Sequence, residues 1–115
     1  MPPVFDRAEL LDRVGNDMAF LSETVDMLVT DGRSLMADIQ KAVQAGDAAA
    51  VGRSAHALKG MISNFCAPGP QEAALAVEKL GKSGDLSGAP EALRAVGTQL
   101  EVLIAELQQL VGSAA

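Results

Sequence analysis

Apolar residues recur three and four positions apart along this chain, in stripes interrupted by glycine and proline. That is the period of helices with one buried face. Phe5-Asp6-Arg7-Ala8-Glu9-Leu10 opens the first: Asp6 can cap, Glu9 holds the capping-box position, and Phe5 with Leu10 can form a hydrophobic staple. Leu10, Leu11 and Val14 supply an apolar face before Gly15, which predicts a helix of about two turns lying as a lid over one end of a bundle. Asn16 or Asp17 can cap a long second helix whose seam is Leu21, Val25, Leu28, Gly32, Leu35, Ile39 and Ala42. It should end near Gln44, with Gly46 as a left-handed terminator. Gly32 costs about 1 kcal/mol against Ala inside a helix and points to the close approach of a neighbour.

Asp47 can cap a third helix with the stripe Val51, Ala55, Leu58, Ile62 and Phe65. Pro68-Gly69-Pro70 breaks it, and Pro70 suits the first position of a fourth helix. There Ala73, Ala74, Val77 and Leu80 face inward as far as Gly81. Gly84 to Ala89 reads as a loop and Pro90 opens the last helix, striped by Leu93, Val96, Leu100, Leu103, Leu107 and Leu110. Gly112-Ser113-Ala114-Ala115 reads as a frayed tail. The expected fold is all-α: an up-and-down four-helix bundle with a short additional N-terminal helix. One domain should span residues 1–115, with its core from about residue 5 to residue 111.

Composition supports helices, because Trp and Tyr are absent and Phe numbers three. The net charge of −6 argues against nucleic acid or an anionic membrane as partner. No apolar run approaches the roughly 20 residues of a bilayer span, and Met1-Pro2-Pro3-Val4-Phe5-Asp6 lacks the blocks of a signal peptide. A monomer in the cytoplasm is therefore expected. The single cysteine, Cys66, excludes an internal disulfide or a zinc cluster.

The chain holds one histidine, His56. On a helical wheel it lies about 140° from the centre of the third helix's stripe, with Gly60 at about 180°, Ser63 at about 120° and Lys59 at about 80°. His56 is thus expected on the solvent face, with Gly52 and Gly60 stacked one turn to either side. Two glycines inside a helix return nothing to a core by themselves, so they read as clearance for an approaching partner. Lys59 and Arg53 flank the ring and would meet an anionic group attached to it. An exposed histidine without a role is the bland alternative; the glycines and Lys59 weigh against it. A cofactor or metal bundle would need inward His and Glu at ligand spacing, and the sole histidine faces out.

Ala55-His56-Ala57-Leu58-Lys59-Gly60, followed by Asn64-Phe65, resembles the signature of histidine-containing phosphotransfer (HPt) domains of two-component phosphorelays. Gly46-Asp47 and Gly84-Asp85-Leu86 are also similar to that family, and the resemblance runs from about Phe5 to Val111. It implies that His56 takes a phosphoryl group from a receiver-domain aspartyl phosphate and passes it to another receiver-domain aspartate. The implied partners are response-regulator receivers and a hybrid histidine kinase. Lys59 would offset the phosphoryl charge and Gly60 would keep the approach open. The Mg²⁺ of the reaction would belong to the receiver, so no cofactor or metal is expected here. No P-loop or kinase-type glycine-rich segment is present, so ATP-dependent kinase activity is not expected.

Three positions depart from the family pattern. Met61 stands where Ser or Ala is usual and is either the edge of the core or an apolar contact for the partner. Cys66 replaces a glycine and reads as a small buried side chain rather than a redox group. Pro68-Gly69-Pro70 is an unusual turn. Gly52, Arg53, Met61 and Ser63 are the expected partner-facing residues around His56. A docking bundle that binds a receiver or kinase without chemistry is the competing reading, and it would lack either the His or the Lys.

Overall fold

The computed structural model describes residues 4–114, with side chains as far as residue 112. Met1-Pro2-Pro3 and Ala115, with the side chains of the expected tail from Ser113, lie outside the described residues. Six α-helices follow one another: α1 Arg7–Arg13, α2 Met18–Met27, α3 Arg33–Ala45, α4 Ala48–Ile62, α5 Pro68–Ser83 and α6 Ala89–Ala114. No strand occurs among the described residues.

The N-terminal signals act largely as written. Asp6 accepts the Glu9 backbone N–H at 3.1 Å, Asp17 accepts that of Phe20 at 3.0 Å, and Asp47 that of Ala50 at 3.1 Å. Each satisfies one donor that the helix itself cannot. The capping box at α1 is only half made, because the Asp6 N–H donates instead to the Cys66 carbonyl at 2.9 Å. That bond ties α1 to the far end of α4, and Arg13 adds a second tie to the Ser63 carbonyl at 3.0 Å. With Phe5 and Leu10 buried, α1 lies against the α4–α5 connection.

The expected long second helix is broken. A π-helical turn, Leu28–Gly32, separates α2 from α3. Gly32 is buried there: a methyl at that position would meet Leu28 at 3.3 Å and Leu100 of α6 at 3.7 Å. The wide turn and the missing side chain together let α6 pack close to this helix. Leu35 is half-buried rather than inward, because the turn resets the helix face.

α4 packs mainly against α5 and also against α3, while α5 packs against α6 and α6 returns to α2 and α3. One core runs through Leu21, Leu28, Ile39, Leu58, Ile62, Val77, Leu100, Leu103, Ile104 and Leu107. Each such side chain contributes about 1.5–3 kcal/mol of burial. Ile104 was not in the expected stripe of α6, which is wider than a single seam because three helices contact it.

Three boundaries move. α5 begins at Pro68 rather than Pro70, and Pro70 is buried in its first turn. It continues past Gly81 to Ser83 and ends on Gly84, whose φ of +80° is left-handed. Gly81 is therefore an interior residue, not a terminator. α6 continues through the expected tail to Ala114.

Met61 is half-buried against the core, which favours the core-edge reading. Cys66 closes the short turn after α4 with φ +55°, a left-handed conformation that costs an L-residue roughly 1–2 kcal/mol and explains a glycine preference there. Its thiol is half-buried, and burial pushes its pKa up, away from a reactive thiolate.

Candidate functional site

His56 stands on the exposed face of α4 with 68% of its side chain open to solvent. α5 covers the flank of α4 that carries Gly52, Lys59 and His56. From it comes Glu78, the one buried charged residue among those described, with 2% of its side chain exposed. His56 Nδ1 lies 3.0 Å from Glu78 Oε2. Lys82 Nζ, one turn along α5, lies 2.9 Å from the same oxygen, and Lys59 Nζ lies 2.8 Å from Oε1. The partner of Oε1 is the Lys59 ammonium.

The cover over Glu78 is made by its own partners. Lys82 is 72% exposed, and it and His56 screen the carboxylate from water without surrounding it by core. Two ammonium groups outweigh the modest desolvation, and the Glu78 pKa falls from 4.5 to about 2. Lys59 is the largest cause, then Lys82, with the His56 contact adding to them and burial opposing.

An ionised carboxylate can only accept, so Nδ1 must be the protonated nitrogen of the neutral ring. The lone pair is then on Nε2. A neutral histidine held through one nitrogen by a carboxylate has its tautomer and ring direction fixed. Nε2 is then the ring nitrogen with a lone pair available, on a side chain that is mostly exposed.

Gly60, one turn beyond His56, is exposed, and a methyl placed there would meet nothing within 4 Å. Gly52 behaves differently and corrects the sequence reading. It is buried against the backbone of Gly81 and provides helix–helix contact, not clearance in front of the ring. The wheel treated α4 as having one buried stripe, whereas α3 and α5 both cover it. Ser63 is half-buried and its hydroxyl donates to the Gly60 carbonyl at 2.6 Å, which occupies it in the helix end. Arg53 is exposed. With Lys82, Gly52, Gly81, Ala48 and Ala49 it lines a groove of about 350 Å³ beside His56 and Glu78.

Glu78 and Lys82 were missed in the sequence. The signal was present: Pro70, Ala74, Val77 and Gly81 form an inward stripe, and Glu78 falls on it four residues after Ala74. A lone carboxylate on an apolar stripe requires a cationic partner, and Lys82 follows at the helical spacing of four.

The Hpt domain family model matches residues 23–112. The chain belongs to the Hpt domain family. It is a phosphotransfer protein of phosphorelay signalling. Among solved structures, its fold is similar to histidine-containing phosphotransfer protein B (HptB) from Pseudomonas aeruginosa, with a TM-score of 0.89 at 23% identity over 98% of each chain. A comparison with curated protein sequences gives no match. No helix of the described residues is long and apolar enough to cross a membrane.

The Glu78 cluster should be visible in acid. A carboxylate with a depressed folded pKa stabilises fully above its unfolded value near 4.5, and the stabilisation is lost as pH falls toward about 2. Urea unfolding should show Glu78→Gln less stable than wild type at pH 7, with the gap closing between those two pH values. A gap that is constant with pH would show that the carboxylate charge is not what holds the cluster.

Proposed function

We propose that His56 is the phosphoryl-carrying residue of this Hpt domain, taking the group from an aspartyl phosphate of one receiver and delivering it to an aspartate of another. The observation that carries this reading is the Nδ1–Glu78 contact, which occupies one ring nitrogen and leaves Nε2 as the other on an exposed side chain. In the forward step the Nε2 lone pair attacks phosphorus, the N–P bond forms, and the P–O bond breaks to release the aspartate carboxylate. The Nδ1 proton stays in place. The phosphoimidazolium that results is positive, and the Glu78 carboxylate beside it offsets that charge. The reverse step restores the same neutral ring, so the site suits transfer in both directions.

Lys59 and Lys82 have a second use in this scheme. Their ammonium groups sit on Glu78 before transfer, within one side chain's reach of a group on His56. Charge on the transferred phosphoryl is stabilised by such cations, and phosphoryl transfer depends mostly on positioning and electrostatics. Mg²⁺ is assigned to the partner receiver, and no ATP-dependent step is assigned to this chain. Receivers and a hybrid histidine kinase are the proposed partners, met by a monomer in the cytoplasm around Arg53 and the His56 face. The framework is read as a single up-and-down four-helix bundle, with α2 and α3 as one broken helix. Packing between helices adjacent in the chain supports this arrangement.

The test is phosphotransfer from a labelled, phosphorylated receiver. Wild type should acquire label that is acid-labile and alkali-stable, and His56→Gln should acquire none. Equal labelling of the variant would remove His56 from the reaction. Gly60 gives a second prediction with opposite signs. Gly60→Ala should raise stability by up to about 1 kcal/mol, because the new methyl meets open space and Ala is the better helix former. Transfer should slow at the same time if a receiver needs that space. A variant that is more stable and transfers at the wild-type rate would show that Gly60 does not serve access.

A further inference from the structure

We infer that the backbone contact between Gly52 and Gly81 is a positioning device for His56, setting the α4–α5 separation at which Glu78 reaches Nδ1. Its consequence for transfer rests on the reading of His56 as the carrier; its geometry does not. Gly52 lies one turn before His56 on α4, and Gly81 lies nearly one turn after Glu78 on α5. The helices run antiparallel, so the His56–Glu78 contact sits about 5.4 Å along the axis from the glycine contact.

The two glycines are not equivalent. A methyl on Gly81 would press on the Gly52 nitrogen and come within 2.6 Å of Gly52 Cα and 2.8 Å of the Ala48 carbonyl oxygen. Those are backbone atoms of a helix and cannot swing aside. A methyl on Gly52 would meet the backbone of Gly81 and Lys82 at 3.7 Å, an ordinary contact. Gly81 is therefore the residue whose missing side chain sets the distance.

Moving α5 outward would not affect the three partners of Glu78 equally. Lys82 is on the same helix and would move with it. Lys59 has a long flexible stem that can follow. The imidazole is short and stiff, and its 3.0 Å contact has little slack before it ceases to be a hydrogen bond. The separation thus controls the tautomer of His56 more than it controls the salt bridges of Glu78. Gly81 is a positioning residue.

The experiment is nitrogen-15 NMR of the His56 ring in unphosphorylated protein at neutral pH, which is unambiguous because the chain has one histidine. Wild type and Gly52→Ala should both show the neutral ring protonated at Nδ1. Gly81→Ala, folded by circular dichroism, should show the tautomer mixture of free histidine and transfer phosphate at least about tenfold more slowly, as small misplacements at reacting centres do. A folded Gly81→Ala with the wild-type ring signature would overturn the inference, as would an equal loss in Gly52→Ala. Should Gly81→Ala not fold, Glu78→Asp withdraws the carboxylate by one methylene on an unaltered backbone. It should lose the Nδ1–H signature, and keeping it would also overturn the inference. The ring signature needs no phosphate, so failure of the carrier reading would not be mistaken for failure of this one.

Discussion

A single carboxylate, Glu78, is held under three cationic or proton-donating side chains at the seam between α4 and α5. Removed from water without them, it would be expensive; with them, it is more acidic than an ordinary glutamate. Much else near the site follows from that arrangement. Lys82 stands one helical turn from Glu78 on the same helix, Lys59 reaches across from α4, and His56 completes the set with Nδ1. The ring then has only one nitrogen left with which to do chemistry. A group of charges that would ordinarily be read as a structural ion-pair network is also what orients the imidazole of His56.

The arrangement explains how an acidic protein can offer a site for anion transfer. The chain carries a net charge of −6, yet Lys59, Lys82 and Arg53 gather within reach of His56. In the proposed transfer, short-range positive charge would support the phosphoryl group, while the overall negative charge would give little long-range attraction to an acidic receiver. Recognition would then depend on contacts made close to His56, which is consistent with the open surface at Gly60 and the groove beside Arg53.

The helices and their caps were legible because period and capping are local properties. Asp6, Asp17 and Asp47 each cap where expected, and Gly46 ends α3 in the left-handed conformation. The outward direction of His56 was legible for the same reason. What sequence could not show was which flank of α4 another helix would cover. Taken one at a time, Gly52 has the look of clearance and Gly81 that of a helix stop, yet they are two halves of one contact. Glu78 was overlooked because a charged residue on an apolar stripe is easily assigned to the surface, and its cations come from elements that only the fold brings together. The π-helical turn at Leu28–Gly32 was hidden because its residues keep an apparently regular spacing.

The central claim is that Glu78 holds Nδ1 and leaves Nε2 to carry phosphate. It is tested most directly on the phosphorylated protein with nitrogen-15-labelled histidine, by phosphorus–nitrogen coupling in NMR. Because His56 is the only histidine, the coupled nitrogen needs no further assignment. Coupling of phosphorus to Nε2, with the proton retained on Nδ1, is the predicted result. Coupling to Nδ1 would contradict the account, since that nitrogen could not then be held by Glu78.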